Sequence, residues 1–304
     1  MSTTVAVVAA TPVFLDRQAT VDKACALVTE AAARGAELVL FAETFVPTYP
    51  VWVWDTPAWG DDQFVRRLYD QSVTVPSATT DRLGRTARAA GAYISIGVNE
   101  LDGGTLYNTQ LLFAPDGSLV DRHRKLMPTG GERTVWGYGD GSTLNVVTTP
   151  FGVVGGLICW ENYMPLARAA MYARGVEIYL APTYDDGPIW VPTLQHIAKE
   201  GRCYVLSVSP VLRGSDVPAD LRGDLYGGDD DWLSRGLATV VAPGGDILAG
   251  PLAGEEGIVY AEIDRSEVAR ERQYFDPVGH YSRPDVFSLH VDTRPRPPVT
   301  FDAG

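Results

Sequence analysis

The feature that most restricts this 304-residue chain is a series of short runs that are apolar on both faces. Glu37–Ala42 (ELVLFA) and Gly152–Ile158 (GVVGGLI) lack the alternation of half-exposed strands, so each predicts a central strand covered on both sides. Thr4–Ala10, Tyr93–Val98, Ile178–Ala181, Cys203–Ser209, Leu237–Val241 and Ile258–Ile263 read as further strands. Helical stretches lie between them. In Asp16–Ala33, Val21, Cys25, Val28 and Ala32 recur at spacings of three and four, and Gly35 follows as a stop. Asp81–Ala90 ends at Gly91, Val191–Glu200 makes another helix, and Pro165 opens one that runs to Arg174 before Gly175. Tyr107–Phe113 and Leu119–Arg124 flank Ala114-Pro115-Asp116-Gly117 as a hairpin. About ten strands with interleaved helices predict an α/β domain with two sheets over residues 1–290. A Pro-rich extended tail is expected over 291–304, with prolines at 295, 297 and 298.

Composition narrows the function. With 25 Lys+Arg against 38 Asp+Glu, the net charge of −13 repels phosphate backbones, so neither nucleic acid nor an anionic membrane is an expected partner. Cys25, Cys159 and Cys203 are too few, and odd in number, for a disulfide scaffold, which points to a reducing compartment. No C-x-x-C or H-E-x-x-H spacing suggests zinc. Val5–Ala10 is a short apolar run without a basic flank, so no secretion signal is expected and the expected location is cytoplasmic. The longest uncharged stretch, between Asp140 and Glu161, is broken by Thr149-Pro150-Phe151-Gly152 and predicts two strands rather than a membrane span. The run Asp229-Asp230-Asp231 lacks calcium-loop spacing and reads as a solvated turn.

Chemistry gathers where polar residues directly follow buried strands, the end at which α/β sheets hold ligands. Glu43 follows ELVLFA, and Cys159 follows GVVGGLI and leads into Trp160-Glu161-Asn162. Lys125 and Glu132 lie in and after HRKLMPT, at the end of the hairpin. Taken singly, each has a second reading. Cys159 fits a small buried hydrophobe as well as a nucleophile whose thiolate a helix N-terminus stabilises below the usual value of about 8.5. Glu43 fits a strand-end carboxylate, Lys125 a solvated base, Glu132 a loop surface. Cys25 on a core face and Cys203 opening a strand read as structural.

Taken together, FAETFVPTYP, HRKLMPT and CWENYMP in this order resemble the nitrilase superfamily of carbon–nitrogen hydrolases, and more narrowly its nitrilase branch. Gly131–Ser142, Ala167–Thr183, His196–Ser207 and Asp276–Phe287 resemble segments of the same branch, so the likeness covers most of the chain. The resemblance implies a four-layer αββα sandwich with two central sheets flanked by helices, and a Glu43–Lys125–Cys159 triad with Glu132 as a second active-site glutamate. It also implies an organic nitrile as substrate, no metal or organic cofactor, and homodimers or larger homo-oligomers. The short tail after SRPDVF does not point to spirals.

The implied reaction converts a nitrile and two waters into a carboxylic acid and ammonia through a covalent thioimidate and thioester on Cys159. Glu43 acts as base, with Lys125 and the Trp160 backbone N–H stabilising the tetrahedral intermediate. Amide hydrolysis or cyanide degradation by the same triad is the nearest alternative, and a non-catalytic self-assembling protein is one of a different class. A Cys–His hydrolase is a third, but His123, His196, His280 and His290 lack a cysteine-protease context. His123 shares the face of Lys125 and reads either as edging the site or as a hydrogen-bonded structural residue. Aromatic residues around the first motif suit an uncharged substrate. Tyr49, Trp136 and Trp160 are the expected substrate-binding residues, while Trp54 and Trp59 read as packing in loops or at a subunit interface.

Overall fold

A computed structural model describes residues 2–57, 60, 62–222, 228–297 and 299–301. The first sheet begins with β1 (Ser2–Ala9) and continues through helix α1 (Arg17–Ala33) into β2 (Ala36–Leu40). Asp16 caps α1 by accepting the Ala19 amide at 2.9 Å, and Thr20, Val21, Ala24, Val28 and Ala31 form its buried face. That face is turned by a fraction of a step from the expected one, which leaves Cys25 half-buried under the Thr86 hydroxyl. Helix α2 (Asp62–Gln71) precedes α3 (Ala78–Ala90), which the reciprocal Ser77–Thr80 box opens and Gly91 at φ 65° closes. Strands β3 (Tyr93–Asp102), β4 (Thr105–Phe113) and β5 (Leu119–Arg124) form consecutive antiparallel pairs.

The second sheet takes β6 (Val147–Thr149), β7 (Gly152–Gly156), β8 (Ile178–Pro182) and β9 (Tyr204–Val208), with α4 (Pro165–Ala173) and α5 (Trp190–Gly201) as crossovers. Strand β10 (Val211–Arg213), the short helix α6 (Ala219–Arg222), β11 (Trp232–Val241) and β12 (Ile247–Ala253) follow. The chain then returns through β13 (Gly257–Asp264) to pair with β1, and ends its regular structure with α7 (Arg265–Tyr274). Strand orders are β13-β1-β2-β3-β4-β5 and β10-β11-β9-β8-β7-β6, with β12 on β11. β1–β2–β3 and β7–β8–β9 are the parallel centres of the two sheets.

Period-two side-chain placement explains the layering. In β8, Ile178 and Leu180 join the core between the sheets, whereas Tyr179 and Ala181 pack outward with Met171 of α4 and Leu194 of α5. Helices α1 and α3 cover the first sheet in the same way. The expected four-layer αββα sandwich is therefore present. The expected uncharged segment before Glu161 is indeed two strands, β6 and β7, and among the described residues no helix is long and apolar enough to cross a membrane. The acidic run at Asp229–Asp231 is an exposed turn.

Packing against β3 sets the entry to the site. After β2 the chain runs beside β3, with Val46 N–H donating to Gly97 O at 3.0 Å and Asn99 N–H to Val46 O at 2.8 Å. A methyl group on Gly97 would meet the Thr44 amide nitrogen, the Ala42 carbonyl oxygen and the Glu43 backbone. Gly97→Ala is thus expected to destabilise the fold by about 1–3 kcal/mol, as overpacking of a close-packed core does. A lower urea midpoint at unchanged slope checks this, and a midpoint equal to wild type would refute the close approach.

Candidate active site

Two strand ends aim their residues at one place through the same device. Thr44, next to Glu43, has φ 42°, and Cys159, just beyond β7, has φ 52°. Non-glycine residues occupy this left-handed region rarely and at a cost, and such strain collects at functional turns. Cys159 opens a five-residue 3₁₀ turn, Cys159–Tyr163. Asn162 fixes that turn by donating its side-chain amide to Leu157 O at 3.0 Å and Cys159 O at 2.8 Å. Lys125 leaves the end of β5 with its backbone pinned to Asn108 O and Gly139 N, each at 2.8 Å.

Lys125 is buried, and its ammonium lies between two carboxylates, 2.7 Å from Glu43 Oε1 and 2.7 Å from Glu132 Oε2. Glu132 has both oxygens engaged. Oε1 accepts the Tyr49 hydroxyl at 2.6 Å, and Oε2 accepts the Thr129 amide at 2.6 Å besides Lys125. Glu43 differs: Oε1 accepts from Lys125 and from Asn108 Nδ2 at 2.6 Å, whereas Oε2 is buried without a partner. Such an oxygen is a proton acceptor held ready.

Electrostatics sharpen the contrast. Burial raises the Glu43 carboxyl above its usual range, against the opposing pull of Lys125, so it is a stronger base than an exposed glutamate. Burial works against the Lys125 ammonium, but Glu43, Cys159 and Glu132 outweigh it and the lysine keeps its proton more firmly than usual. Burial and the charge of Glu43 push the Cys159 thiol up, although Lys125 and the Thr183 hydroxyl, 3.2 Å from Sγ, pull it down. This corrects the sequence expectation of a thiolate stabilised by a helix N-terminus. The turn at Cys159 is short, and desolvation beside two glutamates exceeds what its dipole supplies. Its surroundings thus favour the Cys159 thiol over the thiolate.

An open cleft of about 210 Å³ meets these groups, lined by Tyr49, Trp54, Thr129, Glu132, Cys159, Trp160, Tyr184, Asp185 and Asp186. Tyr49 stacks on Tyr184 with ring centroids 3.8 Å apart. Trp160 is 49% exposed and donates its indole N–H to Asp185 at 2.8 Å. As the second residue of its turn, Trp160 has a backbone N–H without an acceptor inside that turn. Trp136 does not line the cleft. It is buried edge-on behind Tyr49 and donates to Asn99 at 2.8 Å, so it backs the site rather than touching its contents. Trp54 is 47% exposed and forms part of the wall. Trp59 lies outside the described residues.

His123 is buried and faces Glu161 through Nε2 and Thr143 through Nδ1, which leaves no ring nitrogen for Cys159. Cys203, just before β9, is buried in the outer core, whereas His196 and His280 are exposed. Asn108, Glu161, Thr183 and the Tyr184–Asp186 wall escaped the sequence reading. Thr183 follows β8 directly, so the rule that found Glu43 and Cys159 could have found it. Asn108 is a polar residue inside a buried strand, and that alone is a signal. Among the described residues, no three His, Cys, Asp or Glu side chains converge as metal-holding groups do.

The fold and this buried cysteine–glutamate–lysine cluster are those of a carbon–nitrogen hydrolase. The family model of that description matches residues 4–273, and the chain belongs to the family. Within it, the chain falls in the nitrilase branch. It is 47% identical over 300 residues to an aliphatic nitrilase of Sinorhizobium fredii (strain HH103), with 97% of each chain covered. It is 44% identical to the bifunctional nitrilase/nitrile hydratase NIT4A of Lupinus angustifolius, over 97% of this chain and 87% of that one. The carbon–nitrogen hydrolase of Helicobacter pylori G27 superposes with TM-score 0.75 at 20% identity, over 94% of this chain and 97% of its own, which supports the shared fold.

Because Cys159 rests as a thiol, its alkylation by iodoacetamide is expected to rise continuously from pH 6 to pH 10 without levelling near neutrality. Alkylation followed by mass spectrometry, with Cys159→Ala as the blank for Cys25 and Cys203, checks this. A plateau below pH 8 would instead report a stabilised thiolate.

Proposed function

We propose that this protein is a nitrilase that hydrolyses a small organic nitrile to a carboxylic acid and ammonia, with Cys159 as nucleophile, Glu43 as base and Lys125 as electrostatic stabiliser. The observation that carries the reading is the buried, unpartnered Glu43 Oε2, held beside a protonated Lys125 and coupled by charge to the Cys159 thiol. Glu43 takes the thiol proton as sulfur attacks the nitrile carbon, and passes it to the nitrogen to give a thioimidate. Water adds to that carbon. The tetrahedral intermediate is stabilised by the Lys125 ammonium and the Trp160 backbone N–H, and ammonia leaves a thioester. A second water, deprotonated by Glu43, releases the acid and restores the thiol.

Glu132 has a narrower role here than a second proton donor. With Tyr49, Lys125 and Thr129 all donating to it, its carboxylate is committed to holding Lys125 in place. Substrate chemistry follows from the wall. Tyr49, Trp54, Trp160 and Tyr184 favour an apolar body, and Asp185 and Asp186 at the same cleft disfavour an anionic one. Exposed Val286, Phe287 and Leu289 support self-association into a homodimer or larger assembly. The three free cysteines support a cytoplasmic setting. Residues 291–304 are read as a tail outside the catalytic domain, with the Arg296 amide reaching Asp140 at 2.6 Å.

Ammonia release tests the reading. Wild type is expected to hydrolyse neutral aliphatic and arylaceto-nitriles, and Cys159→Ala and Glu43→Gln to lose at least about 10³-fold in kcat. Release from the matching amides alone would favour amidase activity. Among nitriles of matched size, cyanoacetate is expected to have at least tenfold lower kcat/KM than a neutral or ammonium-bearing analogue. Equal values would remove the charge argument for the wall.

A further inference from the structure

We propose that Glu161, held by His123, is a positioning residue that fixes the nucleophile arm and the lysine arm of the site relative to each other. The inference rests on the catalytic reading above. Glu161 lies two residues after Cys159 and is buried, yet it belongs to neither the triad nor the cleft wall. Its two oxygens divide their bonds between the two arms. Oε2 accepts the Ile158 amide at 2.7 Å, immediately before Cys159, and Oε1 accepts the Leu126 amide at 2.7 Å, immediately after Lys125. A single carboxylate therefore joins the backbone neighbours of both reacting groups, which come from different sheets.

His123 completes the clamp. Its Nε2 lies 3.0 Å and 3.3 Å from the two carboxylate oxygens, while Nδ1 faces the Thr143 carbonyl at 3.0 Å. Asp121, two residues earlier on β5, adds a negative charge on the same side. Burial resists charge on both partners, but the pairing wins in each case: His123 is held more basic than usual, and Glu161 more acidic. An ionised carboxylate can accept from two amides and an imidazolium together. A glutamine has one acceptor oxygen, so its NH₂ would have to face a backbone N–H.

The position of the clamp separates a positioning role from general stability. Glu161 touches no cleft-lining side chain through its carboxylate, so changing it should leave substrate binding nearly intact while disturbing the Cys159–Lys125 geometry on which the chemical step depends. For Glu161→Gln we expect kcat to fall at least 100-fold with KM within threefold. Iodoacetamide should label Cys159 at least fivefold faster, because the loosened turn exposes the thiol. His123→Gln, which keeps a neutral donor towards Glu161, should retain at least one-third of wild-type kcat, whereas His123→Leu should lose tenfold or more.

Kinetics and alkylation of the full chain, on variants whose circular dichroism matches wild type, decide the matter. A folded Glu161→Gln with kcat within threefold of wild type and unchanged labelling would overturn the proposal. Should Glu161→Gln not fold, the two His123 variants decide: equal kcat in both, at the wild-type level, would overturn it. If wild type released no ammonia from any nitrile, the catalytic reading would fail, and the labelling rates would still report whether the clamp holds the turn.

Discussion

A lysine ammonium taken out of water must be compensated at close range or it loses its proton, and Lys125 is compensated twice. Glu43 and Glu132 each lie 2.7 Å from its nitrogen, and the surrounding loops exist in the shape that keeps them there. The chain after β2 must hug β3, which Gly97 permits. The turn bearing Glu132 must hug Val53, where a side chain on Gly131 would strike the Val53 carbonyl. Asn108 must sit in the middle of a buried strand to occupy the Glu43 oxygen that faces Lys125. Removing one carboxylate leaves a buried cation half-paired, so the cluster holds or fails as a unit.

This arrangement also decides who carries protons. With Lys125 held protonated and the Cys159 thiol raised by its surroundings, the Glu43 carboxyl, itself raised by burial, is the acceptor that the proposed proton transfer uses. Burial raises the Glu43 carboxyl and the Cys159 thiol together, which favours Glu43 as a proton acceptor while keeping the cysteine a thiol. The strained backbone at Cys159 and Thr44 is tolerated because the Asn162 bonds and the β3 pairing over-determine both turns.

Much of this was legible beforehand because buried strands advertise themselves. ELVLFA and GVVGGLI are apolar on both faces, and the polar residue after each run is where the buried surface ends and a site begins. Elements with little buried surface went unread. α7 buries only Val268 and carries no strong apolar stripe, α2 is short with one apolar face marked by Phe64 and Leu68, and β10 and β12 are short or exposed edges. The β3–β4 hairpin was missed although Gly103-Gly104 marks its turn, because Asn99 to Asp102 interrupt the apolar run. Trp136 packs behind Tyr49 for a reason sequence does not encode. Proximity to Glu132 along the chain says nothing about the side of Tyr49 on which a ring packs.

The division between fold and wall bears on specificity. The sandwich sets where the strand ends lie and leaves the cleft wall to the loops that follow them, so the fold alone does not select a nitrile over an amide. Selection has to come from groups that see the reacting nitrogen and the body of the substrate. The groups of this chain that line the cleft include the ring of Trp160 tied to Asp185 and the stacked Tyr49–Tyr184 pair. All of them hang from segments following β7, β8 and β2, the same strand ends that deliver the catalytic groups. The carboxylate of Glu161 joins the turn after β7 to the segment after β5, and so ties the backbone beside Cys159 to the backbone beside Lys125.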